Sequence, residues 1–120
     1  VSTYQQDYVL RLIEQMGALI RLAFERFRTG EEDSEPLELT EQAIGLAIDM
    51  DPELFLRLAP QSMVSFLELS SFDERVVERL VEALELQADI LEAEGRLLEA
   101  NVRREQASAL RASVGPLHAN

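Results

Sequence analysis

From Val76 to Leu91 apolar residues recur at three- and four-residue steps: Val76, Val77, Leu80, Leu84, Ala88 and Leu91. That spacing puts them on one face of an α-helix. Beyond Gly95 a second stripe follows, with Leu97, Ala100, Ala107 and Val114 on one side. A glycine between two such stripes predicts two antiparallel helices over residues 71–115, joined by a short turn. The alanines mark where the backbones approach closely. No stretch alternates with period two long enough to argue for a strand, so the fold class is all-α.

A chain of 120 residues forms one domain and buries roughly two thirds of its unfolded surface without cross-links. The sequence assigns residues 1–115 to a single helical domain and 116–120 to a frayed tail that includes His118. Apolar content of 47% is too high for a disordered chain. No apolar run reaches membrane-spanning length and no signal-like pattern occurs, so no membrane partner and a cytoplasmic location are expected. The absence of cysteine excludes disulfides and thiolate chemistry. The net charge of −12 argues against nucleic acid, whose binding rests on cationic neutralisation of phosphates. Every cation except the lone histidine is arginine, which reads as the codon bias of a GC-rich genome.

Along the chain, residues 4–28 form the longest helical pattern. Asp7, Arg11, Glu14, Ala18, Arg21, Glu25 and Arg28 occupy one narrow stripe, and apolar residues fill most of the rest. At 100° per residue they cover about 240°, against little more than 100° for an ordinary surface helix. Such a helix needs neighbours on more than one side, and a second copy of the chain is one candidate. Residues 29–36 (TGEEDSEP) read as a loop, closed by Gly30 at one end and by Pro36 at the other. Glu31, Glu32 and Asp33 lack the spacing and turning glycine of a calcium loop, so no metal is expected. Residues 37–48 form a second amphipathic helix, with Leu39, Ala43, Leu46 and Ala47 toward one side, Ile44 and Ile48 beside it, and Gly45 where another helix crosses. Asp51-Pro52-Glu53 is a helix start, Pro60 opens the next helix, and Ser71 with Glu74 reads as a capping box.

The hairpin resembles a tetratricopeptide repeat: Ala88, Gly95, Leu97, Ala100 and Ala107 stand at the repeat's small, turning, bulky and small positions. Arg104 sits where the repeat has an aromatic or leucine, and Ala112 where it has a closing proline. Across nearly the whole length, the run Asp7–Gln15, Met50-Asp51-Pro52-Glu53-Leu54 and the Ala-x-x-x-x-Ala-Glu-Gly-Arg segment around Gly95 are similar to a family of short bacterial helical proteins of unknown function. The resemblance implies antiparallel hairpins in right-handed, tetratricopeptide-like layering, with about five or six helices and a bacterial source. It carries no activity, cofactor or catalytic residue.

The residues point away from catalysis. His118 is the only imidazole, there is no glycine-rich phosphate loop, and no Glu-x-x-His pair occurs. Glu74, Glu78, Glu82, Glu85, Asp89 and Glu92 lie opposite the apolar stripe of their helix, where carboxylates are solvated. The reading is a protein–protein interaction module, not an enzyme, without cofactor or metal, which associates as a homodimer and has a further protein partner of unknown identity. Val9, Ile13, Met16, Ile20 and Phe27 are expected in the chain's own core. Tyr8, Leu19 and Leu22 on one flank, or Leu10 and Phe24 on the other, are then candidates for self-association. Asn101, Arg103 and Arg104 are candidates for a partner groove of the tetratricopeptide kind. The alternative is a small-molecule-binding helical protein using the apolar face of the first helix, with Tyr4, Tyr8, Phe24 and Phe27 as lining.

Overall fold

Glycine and proline set several of the helix boundaries. The computed structural model describes residues 3–30 and 34–118, with side chains described over 5–30 and 34–114. Its helices are α1 (Thr3–Arg28), α2 (Glu35–Ala47), α3 (Pro52–Leu56), α4 (Pro60–Leu69), α5 (Glu74–Ala93) and α6 (Leu97–His118), and no strand occurs among the described residues. Gly30 and Gly95 end α1 and α5 with φ of 73° and 80°. At Gly95 the Arg96 N–H donates to the Leu91 carbonyl at 2.9 Å and the Gly95 N–H to Glu92 at 3.0 Å. This Schellman closure turns the chain into α6. The Asp51 carboxylate accepts from the Glu53 N–H at 3.0 Å, with Pro52 opening α3. Pro60 opens α4 behind an extended Ala59.

Three boundaries differ from the sequence reading. Pro36 does not end the loop; it is buried in the first turn of α2, where a missing N–H costs nothing. Ser71 does not cap α5. It takes a φ of 54° as the left-handed residue that closes α4, with its N–H on Glu68 and the Phe72 N–H on Leu67. The cap of α5 is Asp73, whose Oδ1 accepts from the Arg75 N–H at 2.8 Å. The same carboxylate pairs with the Arg75 guanidinium at 3.1 Å, and this hydrogen bond holds the Asp73 carboxyl below its usual range. At the other end, α6 runs through Gly115 and Pro116 to His118, past the boundary expected at 115. Packing of Val114 on the core fixes the turn from which it continues.

α5 is the centre of the packing. It touches α1, α2 and α6, while α4 lies on α6 and α3 on α2. The larger apolar cluster joins Met16 of α1, Ile44 of α2, Phe55 of α3, Met63 of α4, Leu80 and Leu84 of α5, and Ala107 and Leu110 of α6. A smaller one, at the loop end of the α1–α2 hairpin, holds Ala23, Leu39, Leu86 and Ile90. The stripe on α6 is shifted from the one expected. Leu97 is 57% exposed, while Ala100, Ala107 and Leu110 are buried, because Leu97 at the helix start lies at the edge of the arc centred on Ala107. On α2, Leu46 is 42% exposed although Leu39 and Ala43 are buried, because α1 and α5 cover the first part of that face.

Close approaches explain two glycines. Arg79 of α5 lays its guanidinium across Gly17, with Nε donating to the Ile13 carbonyl at 3.4 Å; a Cβ on Gly17 would stand 3.4 Å from that Nε. At Gly45 a Cβ would meet Pro52 Cγ at 3.1 Å, so the start of α3 is what crosses there.

Candidate functional site

The wide apolar arc of α1 divides into a covered centre and two open flanks. Leu12, Met16 and Ala23 are buried, and Val9, Ile13, Ile20 and Phe27 pack beside them as half-buried neighbours. α2 and α5 cover this centre. Tyr8 remains 58% exposed, Leu10 47%, Leu22 41% and Phe24 47%, while Leu19 is half-buried. At 100° per residue, Tyr8, Leu19 and Leu22 fall within about 60° of one another and Leu10 and Phe24 within about 40° on the opposite flank. Tyr8 and Phe24 therefore do not line one groove. The Tyr4 side chain, His118 side chain and Glu31 to Asp33 lie outside the described residues.

The flanks differ in charge. The Tyr8–Leu22 flank shares its arc with exposed Arg11 and Gln15 and borders an Arg26–Glu35 pair at 3.5 Å that links α1 to α2. Both signs are present there. Phe24 instead forms one wall of an open groove between α1 and α5, about 530 Å³ in volume. Ile20 and Leu86 belong to its apolar lining, and Glu25, Glu82, Glu85 and Asp89 stand around it with Arg21. Glu82 also borders a smaller groove of about 210 Å³ between α5 and α6, lined by Val77, Val81, Leu110 and Val114.

The proposed peptide-binding residues of α6 do not share a surface. Asn101 is exposed. Arg104 crosses the hairpin to Asp89 at 3.2 Å and Glu92 at 2.9 Å. Arg103 turns inward: its Nε donates to Gln87 Oε1 at 2.9 Å, and a terminal nitrogen donates to the Leu56 carbonyl at 3.0 Å and Gln106 Oε1 at 3.1 Å. Burial pushes the Arg103 pKa down, opposed by Glu99 and Glu41.

The rest of this network was not foreseen from the sequence. Buried Gln87 donates to the Thr40 hydroxyl at 3.0 Å, and that hydroxyl donates to the Leu37 carbonyl at 2.7 Å. Gln106 is fully buried and donates to the carbonyls of Leu56 and Leu58 at 2.8 and 2.9 Å. No buried side-chain nitrogen or oxygen among the described residues lacks a partner. The network ties α2, α3, α5 and α6 together. Gln87 amid Leu84, Ala88 and Leu91 was the signal available, since a polar residue on an apolar stripe needs a buried partner.

Among the described residues no cluster of acidic or imidazole side chains could hold a metal ion, and no helix is long and apolar enough to cross a membrane. Comparison with family models, curated proteins and solved structures finds no match.

Proposed function

We propose that this chain is a protein–protein interaction module that pairs with a second copy of itself through the Tyr8, Leu19 and Leu22 flank of α1. The observation that carries the reading is the exposure of large apolar side chains on a helix already packed against α2 and α5. Large apolar side chains left exposed on one helix face mark candidate interaction sites. A two-fold pairing covers the same stripe on both copies without further sequence. Arg11 and Arg26 beside Glu35 make this flank mixed in sign, so two copies can meet without stacking like charges. The net charge of −12 per chain opposes association, but charges beyond about 8 Å are screened at physiological salt. Apolar burial contributes about 25 cal/mol per Å² before association costs.

The Gly95 closure and the buried Ala88, Ala100 and Ala107 support a tetratricopeptide-like reading of the α5–α6 hairpin. A bacterial, cytoplasmic setting belongs to the same reading, supported by the cysteine-free, arginine-only composition. Light scattering at tens of micromolar tests the pairing. A mass near twice 13.6 kDa is expected, and 13.6 kDa itself refutes it. Leu22→Glu is expected to return the monomer, whereas Phe24→Glu is expected to leave the dimer intact.

A further inference from the structure

The groove between α1 and α5 differs in kind from the flank assigned to self-association. Its apolar lining includes Ile20, half-exposed Phe24 and Leu86, and four carboxylates stand around it with the guanidinium of Arg21, three of them also paired with an arginine from outside the lining. That guanidinium folds back over Gly17, where a Cβ would lie 3.3 Å from it. A second copy is a poor occupant, because two-fold pairing would bring these carboxylates face to face. A neutral apolar ligand would leave the acidic rim unused.

We propose that this groove docks a cationic amphipathic helix of a partner protein, with apolar side chains against Phe24 and Ile20 and lysines or arginines over Glu82, Glu85 and Asp89. The spacing suits such a ligand. Glu82 to Asp89 spans about 10 Å along α5, two turns of a helix lying parallel to it. Its cations at matching intervals meet the carboxylates while an i, i+3, i+7 stripe fills the groove. Three of the carboxylates are already paired with arginines: Glu82 with half-buried Arg79 at 3.0 Å, Glu85 with Arg111 at 3.0 Å and Asp89 with Arg104 at 3.2 Å. Exposed pairs are weak, and a carboxylate has acceptor sites enough for a second cation. The charge of the whole chain steers the same ligands toward it.

The test is fluorescence anisotropy with a labelled Leu/Lys peptide of about three helical turns. Its controls are a peptide with the same composition scrambled around the helix and one with Glu replacing Lys. Saturable binding of the first peptide alone is expected. Phe24→Ser, and separately Glu82→Gln with Glu85→Gln, are expected to weaken it about ten-fold, while Glu68→Gln with Glu105→Gln, away from the groove, changes nothing. Circular dichroism of each variant verifies folding. The substituted positions are solvent-exposed, so at least one groove variant remains folded for the comparison. The proposal is overturned by absent binding, by equal binding of either control peptide, or by wild-type affinity in the groove variants. It is also overturned if Phe24→Ser without peptide turns a dimer into a monomer, which would make a second copy the occupant. Loss of the dimer in Leu22→Glu with peptide binding intact separates this site from the self-association flank.

Discussion

Replacing Gln106 with leucine removes the node of the buried network while keeping nearly the same volume. Three hydrogen bonds go: those donated to the Leu56 and Leu58 carbonyls and the one accepted from Arg103. Leu56 keeps its bond from Arg103 at 3.0 Å, but the Leu58 carbonyl loses the donor Gln106 supplied. A buried acceptor left without a donor costs about 1–3 kcal/mol, and each lost bond about 1 kcal/mol net. Because leucine is more favourably buried than glutamine, part of this is offset, and the expected loss is about 2–4 kcal/mol. In a chain of this size that lowers Tm by roughly 8–16 °C. Urea unfolding followed by circular dichroism at fixed protein concentration measures it, with Gln42→Leu on the exposed face of α2 as control. A loss below about 0.5 kcal/mol, the scale of a neutral surface change, would refute the network. A second variant sharpens the reasoning: Arg103→Met with Gln106→Leu should cost less than the sum of the two alone, because each removes bonds that the other also uses.

Ala107→Leu and Ala100→Leu are each expected to cost about 1–3 kcal/mol by overpacking the α5–α6 crossing, where both alanines are buried; an unchanged Tm in both would refute the crossing. Ser71→Gly is expected to stabilise by about 0.5–1 kcal/mol by relieving a left-handed non-glycine residue, whereas Asp73→Ala should cost about 1 kcal/mol as the true cap of α5. A loss of stability in Ser71→Gly would return Ser71 to a capping role. Burial, with help from Glu53, Asp51 and Glu38, pushes the Glu41 carboxyl above its ordinary value, against the pull of Arg103. A raised folded pKa favours folding at low pH and loses that contribution as pH rises through it. Glu41→Gln should therefore gain a few tenths of a kcal/mol at pH 7, small because the group is largely solvated. The gain should vanish below about pH 4, and a variant less stable than wild type at pH 7 would reverse the sign assigned here.

The all-α class, the Gly95 turn, the proline starts of α3 and α4 and the buried stripe of α5 were legible in sequence because each depends on local chemistry: periodicity, a left-handed glycine, a fixed proline φ. The division of α1 into a covered centre and two exposed flanks also followed from periodicity, since helical angle alone decides which residues oppose one another. What periodicity could not supply was the neighbour. Leu46 and Leu97 are as apolar as Leu39 and Leu110, yet they stay exposed at the ends of their helices. Ser71 and Asp73 are both competent caps, and only the closure of α4 decided between them. Arg103 reads as a surface cation until α3 presents the Leu56 carbonyl and α5 presents Gln87, contacts separated by 47 and 16 residues in the chain. The charge difference between the two flanks of α1 arises the same way, because the carboxylates around Phe24 come largely from α5. Side-chain type and spacing determined which faces are apolar. Only the packing of distant helices decided which of those faces are left open, and what stands at their edges.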